Sequence, residues 1–232
     1  MEQGEQGQQK QLQLTEELKQ EMLKHTGFSQ DHIKEHYDEV AEKYDAIYLN
    51  AGYHDHEQCG QLVNSFFQEN KDIEILDLGC GTGLVGESLK LHGYNKVVGI
   101  DASKGMIDAA AKKQAYTELV ELFLGKPDTF PEQFRDRFEA ITASGILAEG
   151  HLGVEVFDEF LLALKQNGIA VFTTRSMYLE KYGYQKRMDE LEAEGKWKKE
   201  NQVSFLRYDN LGEEKVGRYQ TVEVFAFAYR KL

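Results

Sequence analysis

The sequence predicts an α/β protein: a seven-stranded, mostly parallel sheet closed by an antiparallel pair and preceded by a helical cover. Three observations carry this. Apolar strand-like runs alternate with amphipathic helical ones from Ile73 to Arg175, which calls for parallel strands joined by right-handed crossovers. The first of these strands runs straight into Gly79-Cys80-Gly81-Thr82-Gly83, a turn of nearly bare backbone. The last two strands follow one another with only a polar loop around Gly212 between them, which reads as a hairpin.

Residues 1–13 are rich in glutamine and glycine and nearly free of apolar side chains, so burial cannot repay the entropy of ordering them, and a disordered tail is expected. Residues 14–70 are assigned to the helical cover. Thr15 can cap a helix to about His25, and Ser29 opens a second, in which Ile33, Tyr37, Val40, Ala41, Tyr44, Ile47 and Tyr48 recur at helical spacing. A third helix spans about His56 to Gln68. The main domain is assigned to 71–232. Its expected strands are Ile73–Leu78, Val97–Ile100, Val120–Leu124, Glu139–Ala143 and Ile169–Thr174. Between them come helices near Leu84–His92 and Lys104–Lys113, an irregular stretch about Phe130, and a helix over Val154–Lys165. A charged helix, about Leu179 to Glu194, precedes the closing strands Val203–Tyr208 and Gln220–Arg230.

The glycine loop is read as a cradle for a nucleoside, since glycine admits positive φ and close approach, and the following helix presents free N–H groups. Gly81-Thr82-Gly83-Leu84-Val85-Gly86 also satisfies the dinucleotide pattern G-x-G-x-x-G, but the register argues against that use. The glycine directly after the strand is Gly79, and counting from it the third dinucleotide glycine falls at Leu84. The second strand ends in Asp101, 22 residues past Gly79, where a carboxylate can accept both hydroxyls of a ribose; Ala102 lies beside it. Ser103 is placed to cap the next helix, with Met106 on its first turn.

Hydrophobic residues make up 41% of 232 residues, enough for a full core. Lysine and arginine total 27 against 40 acids, a formal charge of −13, with no basic patch to neutralise phosphates, so nucleic acid is not the expected partner. The two cysteines, Cys59 and Cys80, suit a reducing compartment. No apolar stretch approaches a membrane span and the N-terminus does not read as a signal peptide, so a cytoplasmic location is expected. His54-Asp55-His56 lacks a visible third ligand, and no metal is assigned.

The run Asp77-Leu78-Gly79-Cys80-Gly81-Thr82-Gly83 resembles motif I of the class I S-adenosylmethionine-dependent methyltransferases, which have a Rossmann-like fold. With Tyr37-Asp38-Glu39-Val40-Ala41-Glu42-Lys43-Tyr44-Asp45, Ala143-Ser144-Gly145, Thr174-Arg175-Ser176 and Glu190 to Trp197, the chain resembles the methyltransferase-like group named after the Williams–Beuren syndrome chromosome region. That resemblance implies S-adenosylmethionine as cofactor and S-adenosylhomocysteine as product. It implies that Asp77 organises the amino-acid end of the cofactor, with Gly79, Cys80, Gly81 and Gly83 in close approach. It further implies that Tyr37 and Tyr44 close over the cofactor, that Met106 packs on the adenine or is ordinary core, and that Ser144 to Leu147 lies over the cofactor. The acid usual after the third strand is replaced by Leu124-Gly125-Lys126, so the backbone of Gly125 and Lys126 is expected to serve the adenine.

A sulfonium methyl is already activated, so catalysis asks chiefly for an acceptor held in line and out of water. A base is needed only for a protonated acceptor, and His151 is the candidate. Tyr48, Tyr53 and Phe172 are expected to line the acceptor pocket by fold position. The expected activity is methyl transfer to O, N or S of a small molecule. The alternatives are a protein methyltransferase, marked by an open acidic groove, and a protein that binds the cofactor without turnover, marked by an acceptor pocket filled with its own side chains. An NAD-dependent oxidoreductase is a more distant alternative. The sequence names neither the acceptor nor the oligomeric state.

Overall fold

A computed structural model describes residues 19–20, 22–23, 33–217 and 219–232, with the backbone alone for 33–40 and 42. The glutamine-rich tail and nearly all of the first predicted helix lie outside the described residues. The cover begins for this description with α1 (Ile33–Ala51) and α2 (Asp55–Phe67). Then come β1 (Ile75–Leu78), α3 (Leu84–Leu91), β2 (Val97–Asp101), α4 (Lys104–Lys112) and β3 (Glu118–Glu121). Two single 3₁₀ turns, Pro127–Thr129 and Glu132–Phe134, make up the irregular stretch before β4 (Phe138–Leu147), α5 (Val156–Ala163) and β5 (Leu164–Arg175). The remainder is α6 (Ser176–Lys181), α7 (Tyr184–Ala193), β6 (Trp197–Arg207) and β7 (Val222–Lys231).

The described sheet has seven strands in the order β3-β2-β1-β4-β5-β7-β6. Its first five are parallel, and β7 pairs antiparallel with both β5 and β6, inserted between them. The order reverses between β1 and β4, which opens a crevice at their carboxyl ends, the place where such sheets bind ligands.

Side chains alternate across the strands with the pleat. Leu76, Leu78, Ile141, Phe172 and Phe227 face α5 and α7 in the larger core, where Phe172 lies 6.2 Å from Trp197 and 5.8 Å from Tyr229, both stacked. Ile75, Val97, Ala140, Val171 and Ala228 face the other way, onto Leu62 and Val63 of α2 and Val85 and Leu89 of α3. Phe172, expected to line an acceptor pocket, is fully buried in the first core and is not part of the wall of the cavity described below.

Several boundaries moved, each for a local reason. The third strand comes two residues early, because Glu118–Glu121 pairs with β2 through its backbone while its side chains stay largely exposed. The fifth takes in the turn Lys165-Gln166-Asn167-Gly168 as an irregularity, with Asn167 at φ 67°. The predicted charged helix is two helices, broken at Gly183, φ 74°, which starts α7.

The cover is pinned by charge as well as by packing. Asp55, at the start of α2, is wholly buried and accepts from Arg207 at the end of β6, with Nε 2.8 Å from Oδ1 and a second guanidinium nitrogen on Oδ2. This bidentate pair spends the centre of the His54-Asp55-His56 triplet: His54 turns to Asp209 at 3.1 Å and His56 stacks on Tyr53. Among the described residues no helix is long and apolar enough to cross a membrane.

Removing one partner of a buried pair leaves a desolvated charge behind, at a cost of about 3–5 kcal/mol. Asp55→Ala is therefore expected to lower the unfolding free energy by that much in urea titrations. The double change Asp55→Leu with Arg207→Met should cost less than Asp55→Ala alone.

Candidate cofactor and acceptor site

The loop leaving β1 is shaped by three left-handed glycines, Gly79 (φ 69°), Gly81 (φ 53°) and Gly83 (φ 91°). Gly79 and Cys80 donate backbone N–H bonds to the Ile100 carbonyl, at 2.8 and 2.9 Å, so the loop is hung from β2. A Cβ on Gly79 would stand 2.2 Å from Ile146 Cγ2, whereas one on Gly81 would meet nothing within 4 Å. Gly79 is thus required by β4 packing, and Gly81 by its φ and by the open space over it. Gly86, third in the apparent dinucleotide pattern, lies against Tyr116, whose ring would be 2.4 Å from an added Cβ.

Asp101 at the tip of β2 accepts the Gly81 N–H on Oδ2 and the Ser103 N–H on Oδ1, each at 2.9 Å. Those bonds fix its direction at the edge of the cavity described below. Ser103 caps α4 by accepting from Met106 N at 3.1 Å, as its position predicts.

A cavity of about 330 Å³ opens over this loop, within the size range of small-molecule pockets. It brings together eight predicted residues: Tyr44, Gly79, Gly81, Asp101, Ala102, Met106, Ser144 and His151. The rest of its wall comes from Ser103, from Leu122, Phe123 and Leu124 beyond β3, from Gly145 and Ile146 on β4, and from Gly150 and Leu152. Leu122 and Phe123 were missed because the third strand was placed two residues too late, and Gly150 and Leu152 flank the predicted His151.

Five predicted residues lie elsewhere. Asp77 is fully buried beneath the loop, where Tyr116 donates to Oδ2 and Thr142 to Oδ1, both at 2.7 Å. It shapes the cradle from below and does not face the cavity. Cys80 is buried, and desolvation holds its thiol protonated. Gly83 serves as the left-handed start of α3. Gly125 and Lys126 are turned away: their N–H groups donate to the buried carboxylate of Glu159 on α5, at 2.9–3.0 Å. Those backbone donors are thereby taken, and the wall beside them is apolar. The side chain of Tyr37 lies outside the described residues.

The cover reaches the loop directly. Thr82 donates to Asp45 of α1 at 2.5 Å, and Lys113, after α4, bridges Asp45 at 2.8 Å and Glu87 of α3. Tyr44, one residue before Asp45, stacks on Tyr48 with centroids 4.0 Å apart. Tyr48 is itself buried, its hydroxyl 3.1 Å from that of Tyr219. Tyr53 is not itself in the cavity wall but shares a 3.0 Å hydrogen bond with Ser144 Oγ, which is; desolvation raises its phenol, which keeps its proton. Gly145, φ 76°, leaves room for that hydroxyl, since a Cβ there would lie 2.8 Å from it. His151 Nδ1 lies 2.9 Å from the Glu149 carbonyl oxygen. A carbonyl only accepts, so Nδ1 carries the proton and Nε2 is the basic nitrogen of the neutral ring.

The glycine cradle, the acid on the second strand and the crevice at the sheet's switch point gather at one edge of the sheet, where α/β folds of this kind bind a ligand. Residues 75–168 match the family described as a methyltransferase domain. The chain is similar to human methyltransferase-like protein 27, with 34% identity over 127 residues, 53% of this chain and 50% of that protein. It is also similar to the ubiquinone biosynthesis O-methyltransferase of Rickettsia bellii, with 31% identity over 119 residues, 49% and 47% of the two chains. The chain spans about half the length of these curated relatives. Among solved structures, a TehB-like SAM-dependent methyltransferase from Corynebacterium glutamicum superposes with a TM-score of 0.57 at 21% identity, over 85% of this chain and 98% of that one. The N-methyltransferase NodS of Bradyrhizobium japonicum, in complex with S-adenosyl-L-homocysteine, gives 0.53 at 16%, over 75% and 86%. These two structures share the fold.

Burial pushes the Asp77 carboxyl up to about 6, against the hydrogen bonds from Tyr116 and Thr142. An unfolded aspartate titrates near pH ~3.9, so between ~4 and ~6 the native state holds more protons than the unfolded one. This group's contribution to stability is therefore present at low pH and lost as pH rises through that window, by ~3 kcal/mol. Asp77→Asn is expected to flatten the pH dependence of the urea midpoint between pH ~4 and ~6 relative to the wild type.

Proposed function

We propose that the protein is an S-adenosylmethionine-dependent methyltransferase that transfers a methyl group to oxygen, nitrogen or sulfur of a small-molecule acceptor. The observation that carries this reading is a single cavity lined by Gly79, Gly81 and Asp101 together with Ser144, Ile146 and His151. The residues fit the cofactor: Gly81 leaves space for close approach, Asp101 is aimed to receive ribose hydroxyls, and Met106, Leu122 and Leu124 offer apolar surface to a base. When bound, S-adenosylmethionine supplies a methyl group already activated by its sulfonium.

What the protein adds is orientation and exclusion of water. Gly79 and Gly81 hold the loop open, and Tyr44 and the Asp45–Thr82 hydrogen bond close α1 over it. The Ser144 hydroxyl, steadied by Tyr53, stands on the wall facing the reacting centre and can hydrogen-bond an acceptor. Nε2 of His151 can take a proton from a protonated acceptor. The cavity wall has one carboxylate, Asp101, and is otherwise largely apolar, which favours a small acceptor over a basic peptide.

A second reading, cofactor binding without turnover, draws support from Tyr48 and Tyr53, which pack with Tyr208 and Tyr219 where an acceptor would sit.

Calorimetric titration of S-adenosylmethionine and S-adenosylhomocysteine separates these readings from a structural glycine loop. Both are expected to bind the wild type, and Asp101→Ala to weaken both by at least about tenfold, the worth of one good charge-assisted bond; NAD should not bind. Absence of binding to a folded wild type would end the methyltransferase reading. Once an acceptor is found, His151→Gln is expected to lower kcat by about 10²-fold or more with little change in cofactor affinity, if the acceptor must lose a proton.

A further inference from the structure

Among the described arginines, five sit on carboxylates: Arg135 on Glu132, Arg137 on Glu74, Arg187 on Asp158, Arg207 on Asp55 and Arg230 on Glu200. Arg175 is the exception. It ends β5, at the same carboxyl edge of the sheet as the cradle, and its Nε is buried with no hydrogen-bond partner. What surrounds it is aromatic: its guanidinium carbon lies 5.4 Å from the Tyr178 ring centroid and 5.9 Å from that of Tyr208. In a chain with 40 acids to 27 bases, a guanidinium left among rings is not short of available carboxylates.

Arg175, Tyr178 and Tyr208 lie outside the wall of the cavity but connect to it through Tyr53. The Tyr208 ring lies 6.4 Å from that of Tyr53, whose hydroxyl holds Ser144 on the cavity wall. Tyr208 is buried and held in the left-handed region at φ 63°, a conformation that persists where the surroundings over-determine it and that tends to gather at functional sites. The residue before Arg175, Thr174, pairs with Leu147 and donates to its carbonyl at 2.9 Å, which ties β5 to the strand carrying Ser144 and Gly145.

We propose that Arg175 anchors a carboxylate on the methyl acceptor, so that the substrate class is a flat carboxylic acid lying against Tyr178 and Tyr208. This rests on the methyltransferase reading of the neighbouring cavity. The planar guanidinium offers a fork that matches a carboxylate with two parallel bonds, and aromatic walls strengthen such a pair by excluding water. The unmatched donor then has its partner in the ligand.

The test uses protein saturated with S-adenosylhomocysteine, titrated with benzoate and with its neutral isostere benzamide, in the wild type, Arg175→Gln and Arg175→Lys. Benzoate is expected to bind the wild type more tightly than benzamide. The preference should vanish in Arg175→Gln and be partly kept in Arg175→Lys, which retains the charge and loses the fork, while S-adenosylhomocysteine affinity stays within twofold throughout. Failure of the wild type to bind benzoate, equal binding of benzoate and benzamide, or an undiminished preference in Arg175→Gln overturns the assignment. Where Arg175→Gln loses its folded circular dichroism spectrum, the wild-type ratio and Arg175→Lys decide, and a ratio near one overturns. Failure of S-adenosylhomocysteine itself to bind the wild type overturns the underlying methyltransferase reading, and this inference with it.

Discussion

Asp77 sits out of water at the point where β1 gives way to the glycine loop, and both of its oxygens are spoken for within the protein, by Tyr116 on one side and Thr142 of β4 on the other. Tyr116 in turn accepts from Gly86 N at the first turn of α3, so a single carboxylate joins β1, β4, the approach to β3 and the helix above the cradle. The separation of β1 from β4 at their carboxyl ends creates the crevice, and this network sets how those ends are held. Gly86 and Gly99 are glycines for the same reason, since both lie against the Tyr116 ring that reaches Asp77.

Around that centre, the cover is attached by polar contacts at two distant places. Asp45 grips the loop through Thr82, and Asp55 grips the hairpin through Arg207. Between them lies the tyrosine cluster of Tyr44, Tyr48, Tyr53, Tyr208 and Tyr219, which draws on the cover and on the segments next to β6 and β7. This cluster is thus assembled from parts of the chain more than 150 residues apart, as in the 171-residue separation of Tyr48 and Tyr219.

What was legible in the sequence was local. Positive φ at Gly79, Gly81 and Gly83, the cap at Ser103 and the acid ending β2 follow from the residues themselves and their spacing along one βαβ unit. What was not legible depends on partners far away in the chain. Nothing near Gly125 announces that Glu159 will take its N–H, and nothing near Asp55 announces Arg207. Phe172 illustrates the limit of reasoning from fold position: its strand was located, but the face it presents follows from the pleat across β4, β5 and β7. Asp77, expected to organise the amino-acid end of the cofactor, lies buried beneath the loop with its two oxygens on Tyr116 and Thr142, partners that no local pattern announces.

The placement of β7 between β5 and β6 carries a consequence for how the molecule is made. A ribosome releases β6 before β7, yet β6 has no edge of the sheet to join until β7 has paired with β5. Trp197, buried against Phe157 and Tyr229, must therefore wait for a strand synthesised after its own. During that interval the β5 edge, with Ile169, Val171 and Phe172, stands unpaired and apolar, the kind of surface that invites association with other chains. That edge stays open for the time needed to synthesise about fifty residues, from Arg175 to β7, several seconds at ordinary elongation rates.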